Sequence, residues 1–463
     1  MRYKIDIERI KQDMGSKKSF SHETESNIKV MPYKTKFYAE AQEVKTLVGE
    51  VSRRCVKKVP KEKVEYEKVI EKIREKVDSD KKEELITFIN ALYFDQQGHL
   101  ELFHPKVFTY LEDAIQGKQD QKRIGKYLYD ALFKDINEDQ LDQAFNQGGD
   151  LMVQLMMSAL PDLKEIPDEE GHYTNYAPYV KTVFEEDMIF IMKDHKRFIK
   201  CFDKLLEYYY FYYTSQVIIK LNQRQYADLT QLTPLYFRLA SEKGGKNRPS
   251  YLQGYRLLKE AIEVLFANVM LIQFLSYNEY EPDEVMTSIS QWYETYIKTS
   301  TVEEQEVIAK DIEAFIAYYQ EAVDKLDWSK LEIGYRSEDT VVDKVILKLF
   351  ASIAHQFKIG TRKRAADIYK SWFTNYCMEH YLERRGSLGY MLTVDDHDII
   401  FMTGICIKDK ERMRLSDLFV EFERRGLFFD DLSKEAIVAI YEKSNLLEKK
   451  SDSGDAQYVR SIL

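Results

Sequence analysis

Residues 416–462 read SDLFVEFERRGLFFDDLSKEAIVAIYEKSNLLEKKSDSGDAQYVRSI. Leu418, Phe419 and Phe422 mark one face of a helix, and Ser416 stands where an N-cap hydroxyl belongs, with Leu415 placed to staple onto Val420. Gly426 supplies the residue that ends this helix, because glycine enters the left-handed region at no steric cost. A connector, Leu427 to Leu432, leads to a second helix capped by Ser433, with Ile437, Ile440 and Tyr441 as its buried stripe. Leu446–Lys450 and Ala456–Ile462 flank the turn Ser451–Asp455, which predicts a hairpin. Upstream, Asp395, Asp396 and Asp398 suit a helix start facing the macrodipole, and Met413–Leu415 suits a short strand. Helix, strand, helix, helix, hairpin is the order of a winged helix-turn-helix, here expected over residues 390–463.

The rest of the chain has a different grain. It contains 463 residues, 44% hydrophobic and 32% charged, too many for one core and too apolar for disorder. Of nine prolines, none follows Pro282, which permits long helices. The expected fold class is therefore predominantly α: a multi-helical body carrying the C-terminal α+β module. Residues 1–33 read as a loosely held arm, 34–243 as a first helical region and 250–387 as a second, divided by the loop Ser241–Pro249. Helical patterns run over 106–117, 138–160 and 251–277, among others, and Thr301 with Glu304 predicts a capping box. The run Glu207-Tyr208-Tyr209-Tyr210-Phe211-Tyr212-Tyr213 puts aromatics on every face of one helix, which predicts burial between other helices rather than a base-stacking platform.

Charge and motifs exclude several classes. A net charge of −10 disfavours autonomous gripping of nucleic acid, whose affinity grows with phosphates neutralised. Cys55, Cys201, Cys377 and Cys406 lie far apart and form no CxxC, and Met1–Asp6 has no apolar leader, so a reduced cytoplasmic protein is expected. Gly244-Gly245-Lys246-Asn247 lacks the upstream glycine and the hydroxyl of a P-loop. His99 and His104 are five apart, Cys377 and His380 are only two ligands, and the Asp395–Asp398 cluster is explained as helix-start acids. No catalytic residue, cofactor or metal is expected.

From Glu423-Arg424-Arg425-Gly426-Leu427-Phe428-Phe429-Asp430 to Lys450-Ser451-Asp452-Ser453-Gly454-Asp455-Ala456-Gln457-Tyr458-Val459, the tail resembles the C-terminus of the DptG family. Those proteins belong to bacterial DNA phosphorothioation-dependent restriction, in which separate enzymes mark self DNA by replacing a non-bridging phosphate oxygen with sulfur. The resemblance implies a partner-dependent subunit acting against unmodified DNA beside larger DptF-like and DptH-like partners that carry the nucleotide-dependent machinery. It brings no catalytic motif with it.

Candidate contacts with DNA or a partner are the basic segment Arg362, Lys363 and Arg364, then Lys434 and Lys443 on the second helix, and Lys449 and Lys450 on the hairpin. Residues 390–463 nevertheless hold 15 Asp and Glu against 11 Lys and Arg, which favours protein docking over autonomous DNA reading. The expectation is a non-catalytic adaptor. The alternatives are a winged-helix transcriptional regulator and a metal-dependent nuclease.

Overall fold

The computed structural model describes the whole chain except residues 1, 17–18, 21–29, 33–43, 79, 112–118, 147, 167–172, 243, 283–285, 324, 361, 450–456 and 463. Its first described segment corrects the expectation of a loose arm. Helix α1 (Ile7–Met14), capped by Asp6, and the strands β1 (Gly15–Ser16) and β2 (Ser19–Phe20) lie on the body. The Ile5 N–H donates to Asp311 at 2.7 Å, Tyr3 meets Trp292 edge to face at 5.0 Å, and Ile10, Met14 and Phe20 are buried.

A mainly helical body follows. It comprises α2 (Val44–Cys55), β3 (Lys58–Pro60), α3 (Tyr66–Lys76), α4 (Lys82–Tyr93), α5 (Gln119–Leu128), α6 (Glu138–Asn146), α7 (Leu151–Ala159) and β4 (Leu163–Glu165), which pairs with β3. Three expected helices are shorter or broken. Of the helix expected over 106–117, Pro105–Tyr110 is a 3-10 turn, and residues 112–117 lie outside the described residues. The 138–160 pattern splits at Gly148 and Gly149, whose φ of +102° and +95° no helix interior holds. The 251–277 pattern becomes α10 (Pro249–Leu252), α11 (Tyr255–Glu263) and α12 (Leu265–Leu275), interrupted at Gly254 and Val264. Before them come α8 (Pro178–Met192), α9 (His195–Gln223) and β5 (Tyr236–Leu239). After them come α13 (Ile289–Trp292), α14 (Val302–Ala322), α15 (Val341–Ile359) and α16 (Lys363–His380).

The organising element is α9, 29 residues and so about 44 Å long. Its aromatic run is buried on all sides, as expected: Tyr210 packs on Tyr376 at 4.3 Å, Phe211 on Tyr381 at 4.4 Å and Tyr209 on Phe184 at 4.9 Å. Buried phenols need partners. Tyr209 donates to Asp187 at 2.7 Å and Tyr212 to the Arg424 carbonyl at 3.1 Å.

The last elements are β6 (Leu382–Arg384), β7 (Tyr390–Val394), α17 (Asp396–Ile407), β8 (Arg412–Arg414), α18 (Leu415–Arg424), β9 (Phe428–Phe429), α19 (Asp431–Lys443), β10 (Leu447–Lys449) and β11 (Gln457–Arg460). They form two sheets. One is antiparallel, in the order β10-β11-β8. The other, β6-β7-β5-β9, reaches back into the body: β5 lies between β7 and β9, parallel to both, with Arg238 beside Thr393 and Phe237 beside Phe429. Sequence patterning gave no sign of this sheet. β6 and β7 also form a hairpin across residues 387–390, where the second helical region was expected to end.

Candidate interaction surface of the C-terminal unit

Among the described residues of 396–460 the helices and strands come in the expected order, with β9 added between α18 and α19, but two caps move. The acidic cluster forms a capping box: the Asp395 carboxylate accepts from the Asp398 N–H at 2.8 Å, and the Asp398 carboxylate accepts from the Asp395 N–H at 3.1 Å. α18 starts at Leu415 with Arg414 at the cap, so Ser416 caps nothing, and Val420 is 56% exposed and forms no staple. α19 starts at Asp431, and its cap is Asp430, whose carboxylate accepts from the Ser433 N–H at 3.1 Å. A carboxylate competes better than a hydroxyl for this site because the helix N-terminus carries partial positive charge.

Two charged clusters fasten this unit to the body. In the first, the C-terminal end of α18 delivers Arg425 to Asp187 of α8. The two are joined by hydrogen bonds of 2.8 and 2.6 Å, and both side chains are 0% exposed. Lys408 adds a contact to Asp187 at 3.1 Å, Glu421 accepts from Arg425 at 2.7 Å, and the Tyr208 hydroxyl donates to the Arg425 carbonyl. Arg424 reaches Glu186 at 2.9 Å. Gly426 makes the turn at φ +78°, with the Tyr212 ring against it so closely that an added Cβ would stand 2.3 Å from a ring carbon. Burial works against ionised Glu421, but the Arg425 hydrogen bond and charge override it and hold the carboxyl below its usual range.

The second cluster fixes the start of α19. Arg248 donates to Asp430 at 2.9 Å, to Glu242 at 2.6 Å and to the Ser433 hydroxyl at 3.0 Å, while Ser433 donates to Glu242 at 3.1 Å. Ser433 is fully buried against β5. Burial pushes the Asp430 carboxyl up, yet its bonds from Arg248 and Ser433 prevail and hold it below the ordinary value.

This geometry decides what the first turn of α19 can touch. One side faces the body; the other exposes Asp431, Leu432 and Glu435, followed by Ala439, Glu442 and Lys443. Three carboxylates against one ammonium make a surface that repels a phosphate backbone. Lys434 is turned sideways, 3.6 Å from Glu423 and over the Phe419 ring at 5.4 Å. Lys443 is exposed. Lys449 takes its place in β10 opposite Gln457, and Lys450 and the turn Ser451–Asp455 lie outside the described residues. Across this sheet, Arg412 of the edge strand β8 and Arg460 of the central strand β11 both bind Glu448 of β10.

The basic segment of α16 is not one patch either. Arg362 donates twice to the Phe20 carbonyl, at 2.9 and 2.6 Å, and so holds the N-terminal segment. Lys370 bridges Glu263 at 2.5 Å and Asp367 at 2.9 Å. Lys363 and Arg364 are exposed. None of Arg425, Asp187, Arg248, Asp430 and Glu242 was read in the sequence as an anchor, because each has a partner far along the chain and no local pattern marks the pair.

Among the described residues, no group of three or more His, Cys, Asp or Glu is placed to hold a metal. His99 binds Asp95 at 3.0 Å, His104 packs edge-on to His195, and Cys377 is fully buried. No described helix is long and apolar enough to cross a membrane. In comparisons with known proteins, no family model matches this chain. No curated protein matches it either.

Proposed function

We propose that this chain is a non-catalytic adaptor, a structural subunit of a cytoplasmic bacterial complex that restricts DNA lacking phosphorothioate marks. In this reading residues 396–460 are a winged helix-turn-helix put to use as an assembly surface. The resemblance of the tail to the DptG family supports the choice of complex. DptF-like and DptH-like subunits would then supply ATP hydrolysis and strand handling, and DNA would be met through the assembly.

The observation that carries the adaptor reading is the seating of α19. Its first turn is tied to the body by Arg248, Asp430 and Ser433, and its outward face is acidic. A DNA reader needs that turn free and basic, because its side chains must reach base edges in the major groove. The alternative, a transcriptional regulator, requires the opposite electrostatics on the same helix.

Purified alone, the chain should neither hydrolyse ATP nor cleave DNA, and at physiological salt should hold no duplex tightly. Mixed with the two larger subunits, it should elute with them as one species in size-exclusion chromatography. ATPase or nuclease activity of the chain alone would end this reading. So would tight, salt-sensitive binding to one operator sequence that Lys434→Glu abolishes, which is what a regulator predicts.

A further inference from the structure

A wide groove lies away from the C-terminal unit. It measures about 1010 Å³ and runs between α12, α15, α16 and the segment 330–334. Its origin is plain in the sequence. α15 turns Leu347, Ala351, Ala354 and Lys358 toward it, at spacings of four, three and four residues, which is one helical stripe. α16 contributes Lys363, Ala366 and Lys370 in the same way. Alanine at three of these positions leaves the volume that larger side chains would have filled. The floor is aromatic: Phe266 stacks on Phe357, their ring centroids 4.6 Å apart.

The charge at the lip is uneven. Five cations line the groove against three carboxylates, in a chain whose net charge is −10. Two of those carboxylates, Glu263 and Asp367, are already bound by Lys370, and Glu332 remains exposed. Lys358 and Lys363 are exposed and have no ion-pair partner among the described residues. At one end Arg224 sits over the Phe350 ring at 4.0 Å. Its Nη1 donates to Asn222 and Asn268, and its Nε makes no hydrogen bond.

We propose that this groove receives an amphipathic helix with acidic flanks from a partner protein. An apolar floor about three turns long (roughly 16 Å), small residues that let a second backbone approach, and unpaired ammonium groups on the lip are the features that hold a helix in a groove. Leucine-type side chains spaced three and four apart would fill the alanine hollow, and glutamates beside them would face Lys358 and Lys363. The proposal deepens the adaptor reading and rests on it, because it names how one partner is held.

The test uses the full chain and three synthetic fluorescent helices. One carries a leucine stripe with glutamate flanks, the second replaces glutamate by lysine, and the third replaces leucine by serine. Anisotropy should show saturable binding of the first alone. The pair Lys358→Glu with Lys363→Glu should weaken it about tenfold or more, since both lip charges are reversed, and added salt should weaken the wild-type complex. Ala354→Trp should block binding by filling the hollow. Circular dichroism and Tm report folding, and the lysine variants, being on the surface, should match the wild type.

Equal binding of the lysine-flanked helix, binding unchanged in the lysine variants, or no binding of the acidic helix would each overturn the proposal. Displacement of the helix by duplex DNA would overturn it in favour of a phosphate-binding groove. A dimer of this chain that Ala354→Trp dissolves would overturn it in favour of self-association. Failure of the adaptor reading is seen separately: the larger subunits would then not co-elute with the wild-type chain at all. If they co-elute while the acidic helix does not bind, the adaptor stands and the groove does not.

Discussion

Arg425 and Asp187 are both withdrawn from water, and this makes their pairing a matter of structure more than of net attraction. Desolvating two ions offsets much of their attraction, but removing one leaves the other buried and uncompensated. Asp187→Ala should therefore cost about 3–5 kcal/mol in denaturant unfolding. Replacing the pair together by leucine and methionine should cost clearly less. Equal losses in the single and double variants would show that the pairing itself is the stabilising term. Gly426 is constrained twice, by its φ of +78° and by the Tyr212 ring. Gly426→Ala should lower stability by roughly 2–4 kcal/mol, the left-handed backbone accounting for about 1–2 of that. A variant whose Tm stays within a degree or so of the wild type would mean that α9 yields at this point.

Among the elements, α18 and α19 are held to the body by carboxylates that respond to acid. The Asp430 and Glu421 carboxyls are both held below their ordinary values, in each case against the effect of burial. A carboxyl lowered in the folded state contributes its full stabilisation above its unfolded value, about 4. That contribution is lost as pH falls through the folded value. The C-terminal unit should thus keep its attachment at neutral pH and loosen below about pH 4, visible as hydrogen exchange in α18 and α19 rising ahead of that in α9. Arg248→Ala should flatten the Asp430 part of this response; an unchanged acid profile would assign it to other groups. The same elements show what a sequence exposes. The burial of residues 208–213, the Thr301–Glu304 box and the helix–strand–helix–helix–hairpin order follow from periodicity and local hydrogen bonding, and they were legible. The cap of α19 was misplaced to Ser433 because the pattern of apolar residues does not tell which of two nearby polar groups accepts. The sheet around β5 was invisible. Tyr236–Leu239 is four residues long, and its partners lie far downstream, so nothing local distinguishes it from a loop. The candidate surface was legible in composition, through its excess of acids, but its anchors were not.

At the scale of the molecule, β5 makes body and C-terminal unit a single hydrogen-bonded structure, flanked on both sides by strands from beyond residue 389. A chain ending at residue 389 should therefore aggregate, since it leaves both edges of an apolar strand unpaired. Light scattering of that truncated chain measures this, and a monodisperse product would show that the body folds by itself. Living synthesis passes through the same truncated state. The strands that complete the sheet are made more than 150 residues after β5, and at synthesis rates of about 5–20 residues per second the gap lasts on the order of ten seconds or more. Throughout that interval the strand that holds Phe237 and Leu239 lacks both strands that flank it, and only packing such as the Phe211 ring against Phe237 covers it, so its open edges stay available for wrong pairing. Its yield in a cell should therefore follow the speed of translation across the second half of the message.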